Sequence, residues 1–350
     1  MEAFRTRQIA YALVSFLVGV WAFITVNAIS GPAFEPIIAA CSNPDIPIEE
    51  FAAKTGYHDY EPRVGLKVFN LLVCLITQFL LELRETPPAG VLVWAGVVVV
   101  SLPCCVIANV EAGRAGARGP IRYPVVMALL FQLFGISVVF PLVWLPGFVF
   151  GEGRRGSPVT LFRVVMGALF SIPGTVLTLI VFLAPTESRL WTTAAGILGG
   201  PMLALTGLVL FTDKSSEITA TEENTKASSR AIQTVYKLLM AIGFVGWYVL
   251  VGIAYRSYGI AIGDLWKDIW VEAGPSVAFM TIDTGVLYLA LVIFVAYRSD
   301  EFKAAKALLL TTVLGPATAV IVVLMEIENE TEYDFDAVDS QKSDELKKVE

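Results

Sequence analysis

The 350-residue chain is 56% hydrophobic and only 16% charged, with a formal net charge of −7 and a mean hydropathy of +0.69. A soluble domain carries roughly 25% charged residues, so composition excludes a water-facing globule for most of the chain, and no basic footprint for nucleic acid is present. The lone histidine, His58, leaves no ligand set for an all-histidine metal site and no Ser-His-Asp triad inside a bilayer.

Apolar runs are predicted to span a membrane at 8–30, 66–84, 90–110, 124–149, 159–184, 190–211, 232–255, 277–297 and 304–325. Each has about 20 residues, the length that crosses a hydrocarbon core of roughly 30 Å. The run at 66–84 is interrupted by Asn70, Gln78 and Glu82, which gives a range of seven to nine spans. The runs are too long for barrel strands, and backbone at membrane depth must be hydrogen-bonded internally. The fold class is therefore an all-α polytopic transmembrane helix bundle occupying 1–325. The first run lacks a small-residue cleavage site and reads as the first span.

Between the spans, 31–65 is expected to be a long loop containing Pro32, Pro36, Pro44, Pro47 and Pro62, either a lid or a plain connection. The segment 212–230, rich in Ser, Thr and Glu, reads as a polar linker, and 326–350 as an acidic disordered tail. No internal repeat is visible in the sequence. Lys and Arg divide almost evenly between the two sides, so the positive-inside rule does not orient the chain. Cys41, Cys74, Cys104 and Cys105 fit no zinc spacing and are expected to be buried thiols. No metal or other cofactor is implied, since DDxxD, Walker A, HExxH and GxSxG patterns are all missing from the sequence.

Ionisable groups at membrane depth are costly and mark candidate sites. Asp283, in Phe279-Met280-Thr281-Ile282-Asp283-Thr284, lies about two turns inside its span. A carboxyl group taken out of water favours its neutral form, which is a proton donor. The alternatives are that Asp283 reaches the interface, caps a helix or pairs with an arginine. Glu111 closes the third span beside Asn109 and Arg114, where an interfacial ion pair is the simpler reading. Gln132 and Asn70 are candidates to orient a substrate or to bond between helices. Phe131, Phe279 and Trp144 are candidate pocket rings able to stabilise a cation. Pro141 and Pro146 are expected to bend the fourth span.

Three features in this order carry a resemblance: Val110-Glu111 with Arg114 to Gly119, Gln132-Leu133-Phe134-Gly135 with Pro141-Leu142, and Phe279 to Asp283. The pattern, over roughly 60–300, resembles the fungal membrane-bound terpene cyclases of meroterpenoid biosynthesis, of the ascofuranone and ascochlorin type. The resemblance implies metal-independent cyclisation of a lipophilic, farnesyl-type isoprenoid in the endoplasmic reticulum membrane. Asp283 would protonate a terminal epoxide or alkene, Glu111 would polarise or reprotonate it, and Gln132 or Asn109 would position substrate or water. Two positions depart from the pattern. Asn70 stands where an acidic residue is common, and Val143-Trp144 follow Pro141-Leu142 where an aromatic directly after the leucine is expected. Two other function classes compete. A proton-coupled transporter of a small lipophilic molecule predicts a water-accessible path and an internal repeat. A receptor or scaffold predicts a sealed bundle with its polar groups paired to one another.

Overall fold

The computed structural model describes residues 2–43, 45–47, 49–50, 53, 67–165, 167–168, 185 and 218–331. Among these the regular structure is helical, with no strand. Four helices are long and apolar enough to cross a membrane: α1 (Glu2–Ser42), α3 (Ala89–Gly113), α6 (Glu222–Tyr258) and α8 (Pro275–Arg298). The expected span at 190–211 falls outside the described residues, and of the expected span at 159–184 only 159–165 and 167–168 are described, helical from Leu161.

Two of the expected spans are folded back on themselves. The run 124–149 divides at Gly135 into α4 (Pro124–Phe134) and α5 (Ile136–Gly151). Gly135 has φ +84°, so the chain reverses there. The two arms return to one end, where Arg118 N–H donates to Gly151 O at 3.0 Å and Gly147 packs on Pro120. Pro141, which lacks an N–H, sits in a widened π turn at Phe140–Trp144 instead of forcing a sharp bend. The run 304–325 likewise divides at Gly315, φ +81°, into α9 (Glu301–Leu314) and α10 (Pro316–Glu330). Ion pairs Lys303–Glu330 and Lys306–Glu326 join its open end. At 1.5 Å per residue the arms measure roughly 16–24 Å, short of the roughly 30 Å a crossing needs. Both runs are hairpins, not spans.

The helix between α1 and α3, α2 (Lys67–Glu85), is also not a lone crossing. The start of α1 lies beside the end of α8, since Arg7 donates to Ala296 O and Ser299 O. The end of α3 lies there too, Glu111 being 3.5 Å from Arg298. This end is called the terminal face. Consequently α1 ends, and α3 begins, on the opposite face, and a single crossing by α2 would put α3 on the wrong side.

The sequence boundaries shift in three places. The expected loop at 31–65 begins only after Ser42: α1 continues through Pro32 and Pro36, its end packed by Ala40, which is buried against α2. Its remainder at 54–65 lies outside the described residues. The polar linker becomes helix at Glu222, where the Thr221 hydroxyl accepts from Asn224 N–H at 3.2 Å and two glutamates occupy the first turn, as the helix dipole favours. The acidic tail contributes Glu326 to Glu330 to α10, held by the lysines of α9. Cys41 and Cys74 are not thiols: they form a disulfide between α1 and α2, their Cα atoms 5.9 Å apart. Cys104 is buried and outside any disulfide, as expected.

The described elements fall into two halves of the same plan. In each, a long helix leaves the terminal face (α1, α6), a shorter one returns (α3, α8), and a hairpin enters from that face (α4–α5, α9–α10). The packing repeats as well. Each outward helix lies against the returning arm of its own hairpin: Ser15 of α1 donates to Pro141 O, and Thr318 of α10 donates to Met240 O of α6. Each also packs on the inward helix of the other half. Ala22 and Val26 cluster with Ile282 and Val286, and Gly246 lies against Val99. The inward helices meet between them, Gly96 against Thr284. This is an internal repeat of backbone, with almost no repeat of residues beyond the glycine at each hairpin tip.

Candidate functional site

The first hairpin delivers its tip to Asp283. Gly135 ends α4, and the new helix α5 begins with its N–H groups unpaired by the helix itself, as every helix N-terminus does. Ser137, in that first turn, donates its backbone N–H to Asp283 Oδ1 at 3.3 Å and its hydroxyl to the same oxygen. Ser137 is fully buried and Asp283 is 4% exposed. A carboxylate at a helix N-terminus also gains from the helix dipole. Asp283 therefore caps, from another half of the molecule, the helix that the hairpin returns on. Close approach requires the glycine: a methyl group on Gly135 would stand 3.4 Å from Asp283 Oδ1 and from the Phe279 ring. Neighbouring Thr281 and Thr284 donate to their own helix carbonyls, Val277 O and Met280 O, so they do not compete for Asp283.

Phe279, one turn before Asp283, meets Phe79 edge-on at 5.4 Å, and Phe79 stacks with Phe34 at 6.1 Å. A short series of rings thus leads from α1 to the carboxyl group. The other candidate rings are elsewhere. Trp144 is fully buried, stacked between Phe140 at 4.6 Å and Phe148 at 5.4 Å, one turn apart along α5. Phe131 lies 6.4 Å from Phe140. These rings fill the core between the halves and do not surround Asp283.

Glu111 is not brought to Asp283. It is buried at the terminal face, 3.5 Å from Arg298 and 3.8 Å from Arg114. Arg298 and Asp283 are fifteen residues apart on α8, roughly 22 Å at helical rise. Direct proton exchange between the two carboxyl groups, implied by the resemblance, has no geometric basis. Asn109, buried half a turn before Glu111, belongs to the same end. Gln132 lies on α4 one turn before the tip and Asn70 on α2, but their side chains are outside the described residues. A groove of about 450 Å³ opens between α1 and α8 near the terminal face, lined by Arg7, Tyr11, Val14, Ile293, Ala296 and Glu301. It does not reach Asp283.

Sequence reasoning gave Gly135 no role beyond its place in a motif, and missed Ser137, which holds Asp283, and Arg298, Glu152 and Glu328, which share in the arginine pairs of Glu111. The signal for Gly135 was present, since a glycine just after an apolar helical run marks a helix end, whereas nothing local points Ser137 at Asp283. Among the described residues no three metal-ligating side chains converge. No protein-family model matches the chain, and neither a curated protein nor a solved structure does.

Proposed function

We propose that this chain is a membrane transporter in which Asp283 carries a proton coupled to movement of a small lipophilic molecule. The observation that supports this is the place of Asp283: it belongs to α8 of the second half and is held by the hairpin tip of the first. Duplicated halves with a broken helix at a buried charged group are the architecture of alternating access, in which one half rocks against the other around a fixed site. When the halves are together, Asp283 is buried and accepts two hydrogen bonds at Oδ1 from Ser137. When they part, those bonds are lost and water can replace them, so the carboxyl group meets a different environment in each state. The two states thus differ in proton affinity, which is what coupling requires. The second tip, Gly315, meets Trp247 where the first meets Asp283.

The test is reconstitution into liposomes with a pH-sensitive dye inside and a farnesylated phenol as probe. An imposed probe gradient should change the internal pH with the native chain and not with Asp283→Asn. No pH change with the folded native chain, over a panel of lipophilic probes, would overturn the reading.

One observation favours a second reading, the terpene cyclase: the Phe279 and Phe79 rings beside Asp283, which are suited to stabilising a carbocation. In that reading Asp283 alone supplies the proton, without Glu111. The same preparation, incubated with the farnesylated phenol and its terminal epoxide, would yield a cyclised isomer of unchanged mass. No such isomer, from a chain that moves protons, removes it.

A further inference from the structure

The buried charges at the terminal face join the halves, and their pairing is uneven. Arg114, ending α3 of the first half, donates to Glu328 of the second hairpin at 2.7 Å. Arg298, ending α8 of the second half, faces Glu111 at 3.5 Å and Glu152, just past the first hairpin, at 3.7 Å. Arg155 then donates to Arg298 O at 2.8 Å. Three carboxylates thus face three guanidinium groups, and apart from two short links within the first half every ion pair in the set crosses from one half to the other. Glu111, Arg114 and Arg298 are each more than nine-tenths buried. Yet Glu111 Oε2, Arg114 Nε and Arg298 Nη1 make no hydrogen bond, and the contacts of Arg298 are longer than a hydrogen bond allows.

A buried ion pair repays its desolvation only when its geometry is good and its remaining donors and acceptors are satisfied. Here Arg114 comes nearer to that condition, donating to Glu328 at 2.7 Å and to Ser157 O at 2.8 Å with only Nε left over, than Arg298, whose links are both too long for a hydrogen bond. We infer that this network is an ionic gate that seals the terminal face between the halves, with Arg298 as the element that releases. The inference rests on the transport reading, and supplies it with a closed side. All three carboxylates sit where a hairpin or an inward helix meets the face, so parting the halves must pull each from its arginine. Water then replaces the lost partners, which lowers the cost of opening for the pairs already lacking hydrogen bonds.

Cys104 reports on this gate. It is buried on α3, seven residues before Glu111 and so roughly 10 Å deeper along the helix. In sealed vesicles carrying Cys105→Ala, a membrane-impermeant thiol reagent should leave Cys104 unmodified. Arg298→Gln should raise its labelling several-fold, from the terminal face alone. Arg298→Lys, which keeps the charge, should restore most of the protection. Thermal stability of both variants is measured alongside. Protection unchanged in Arg298→Gln overturns the gate. So does labelling from both faces, or equal labelling of the glutamine and lysine variants, since either reports loss of packing and not of pairing. A chain that moves protons while Cys104 stays protected keeps the transport reading and loses the gate. Failure of proton movement leaves the labelling result to stand by itself.

Discussion

Gly315→Ala tests the hairpin on which the architecture depends. At φ +81° and ψ 162° the residue occupies a region open essentially to glycine, and an alanine there costs of order 1–3 kcal/mol. Its methyl group would also meet Trp247 of α6, 2.4 Å from Cγ and 2.6 Å from Cβ, so backbone or ring must move. Overpacking of that kind adds about 1–3 kcal/mol. The sum is about 2–6 kcal/mol. Gly135→Ala, at the equivalent tip, carries the backbone cost with only a 3.4 Å contact to accommodate, so about 1–3 kcal/mol is expected. The two variants should therefore differ by the steric part alone. Trp247→Ala in the Gly315→Ala background removes that part, so the double variant should lose about 1–3 kcal/mol less than the sum of the singles. The assay is the temperature at which the monodisperse size-exclusion peak is half lost in detergent, for the four members of the cycle and for Gly135→Ala. If Gly315→Ala is no worse than Gly135→Ala, or if the cycle is additive, the tip is not packed on Trp247 and the run 304–325 is not a hairpin of this form.

Three further outcomes are expected. Ser137→Ala removes the hydroxyl donor to Asp283 and should destabilise by about 1–3 kcal/mol, the cost of leaving a buried acceptor short; Ser137→Thr should lose much less in the same thermal assay. Trp144→Ala should cost about 3–5 kcal/mol through the cavity it leaves, yet leave the concentration dependence of any probe-driven proton flux unchanged, because the ring is core and not pocket. Asp300 starts α9 by accepting Lys303 N–H at 2.8 Å, and this bond is the main cause that holds its carboxyl below the ordinary value. A depressed folded value stabilises above the unfolded pKa, near 3.9, and is lost as pH falls through the folded one. Asp300→Asn should therefore lower stability modestly at neutral pH, where the charged cap is intact, and flatten acid unfolding in that window so that the two chains converge at low pH, read by intrinsic fluorescence.

The helices were legible because burial in a bilayer selects long apolar runs, and α1, α3, α6 and α8 lie where those runs predict. The hairpins were not legible for the same reason. A folded pair of 11–16-residue arms has the same total apolar length as one span, and only Gly135 or Gly315 records the reversal. The internal repeat escaped notice because packing conserves direction and register, not residue type: Val26 and Gly246 occupy corresponding places. Asp283 was found from its cost at membrane depth, but its partner was not. Ser137 lies 146 positions away in sequence, and its link to Asp283 needs the tertiary fold. Glu111 was found on the same ground and assigned to Asp283, whereas its arginines come from the ends of α3 and α8. A polar residue in an apolar run announces that it needs a partner, without saying which.

The disulfide gives a ground for orienting the chain where the distribution of Lys and Arg does not. Cys41 and Cys74 join α1 to α2 on the face opposite the chain's N-terminus, in a segment whose sequence separation is 33. Closing a loop of that length is worth about 3–4 kcal/mol by the chain-entropy relation, and such a bond persists in an oxidising compartment and not in the reducing cytosol. The disulfide face should therefore be lumenal or extracellular, and the terminal face, with the ionic network and the mouths of both hairpins, cytosolic. A glycosylation acceptor carried on a spacer at Ile260, 90% exposed between α6 and the short helix α7 (Ile262–Lys267), should be modified in microsomes. The same insert between Arg155 and Gly156 should not be. Cys41→Ser should abolish the mobility difference between reduced and unreduced protein and lower thermal stability. The opposite glycosylation pattern would put the cysteine pair in a reducing environment, where the bond would not be maintained, and the orientation of every element in the two halves would have to be inverted.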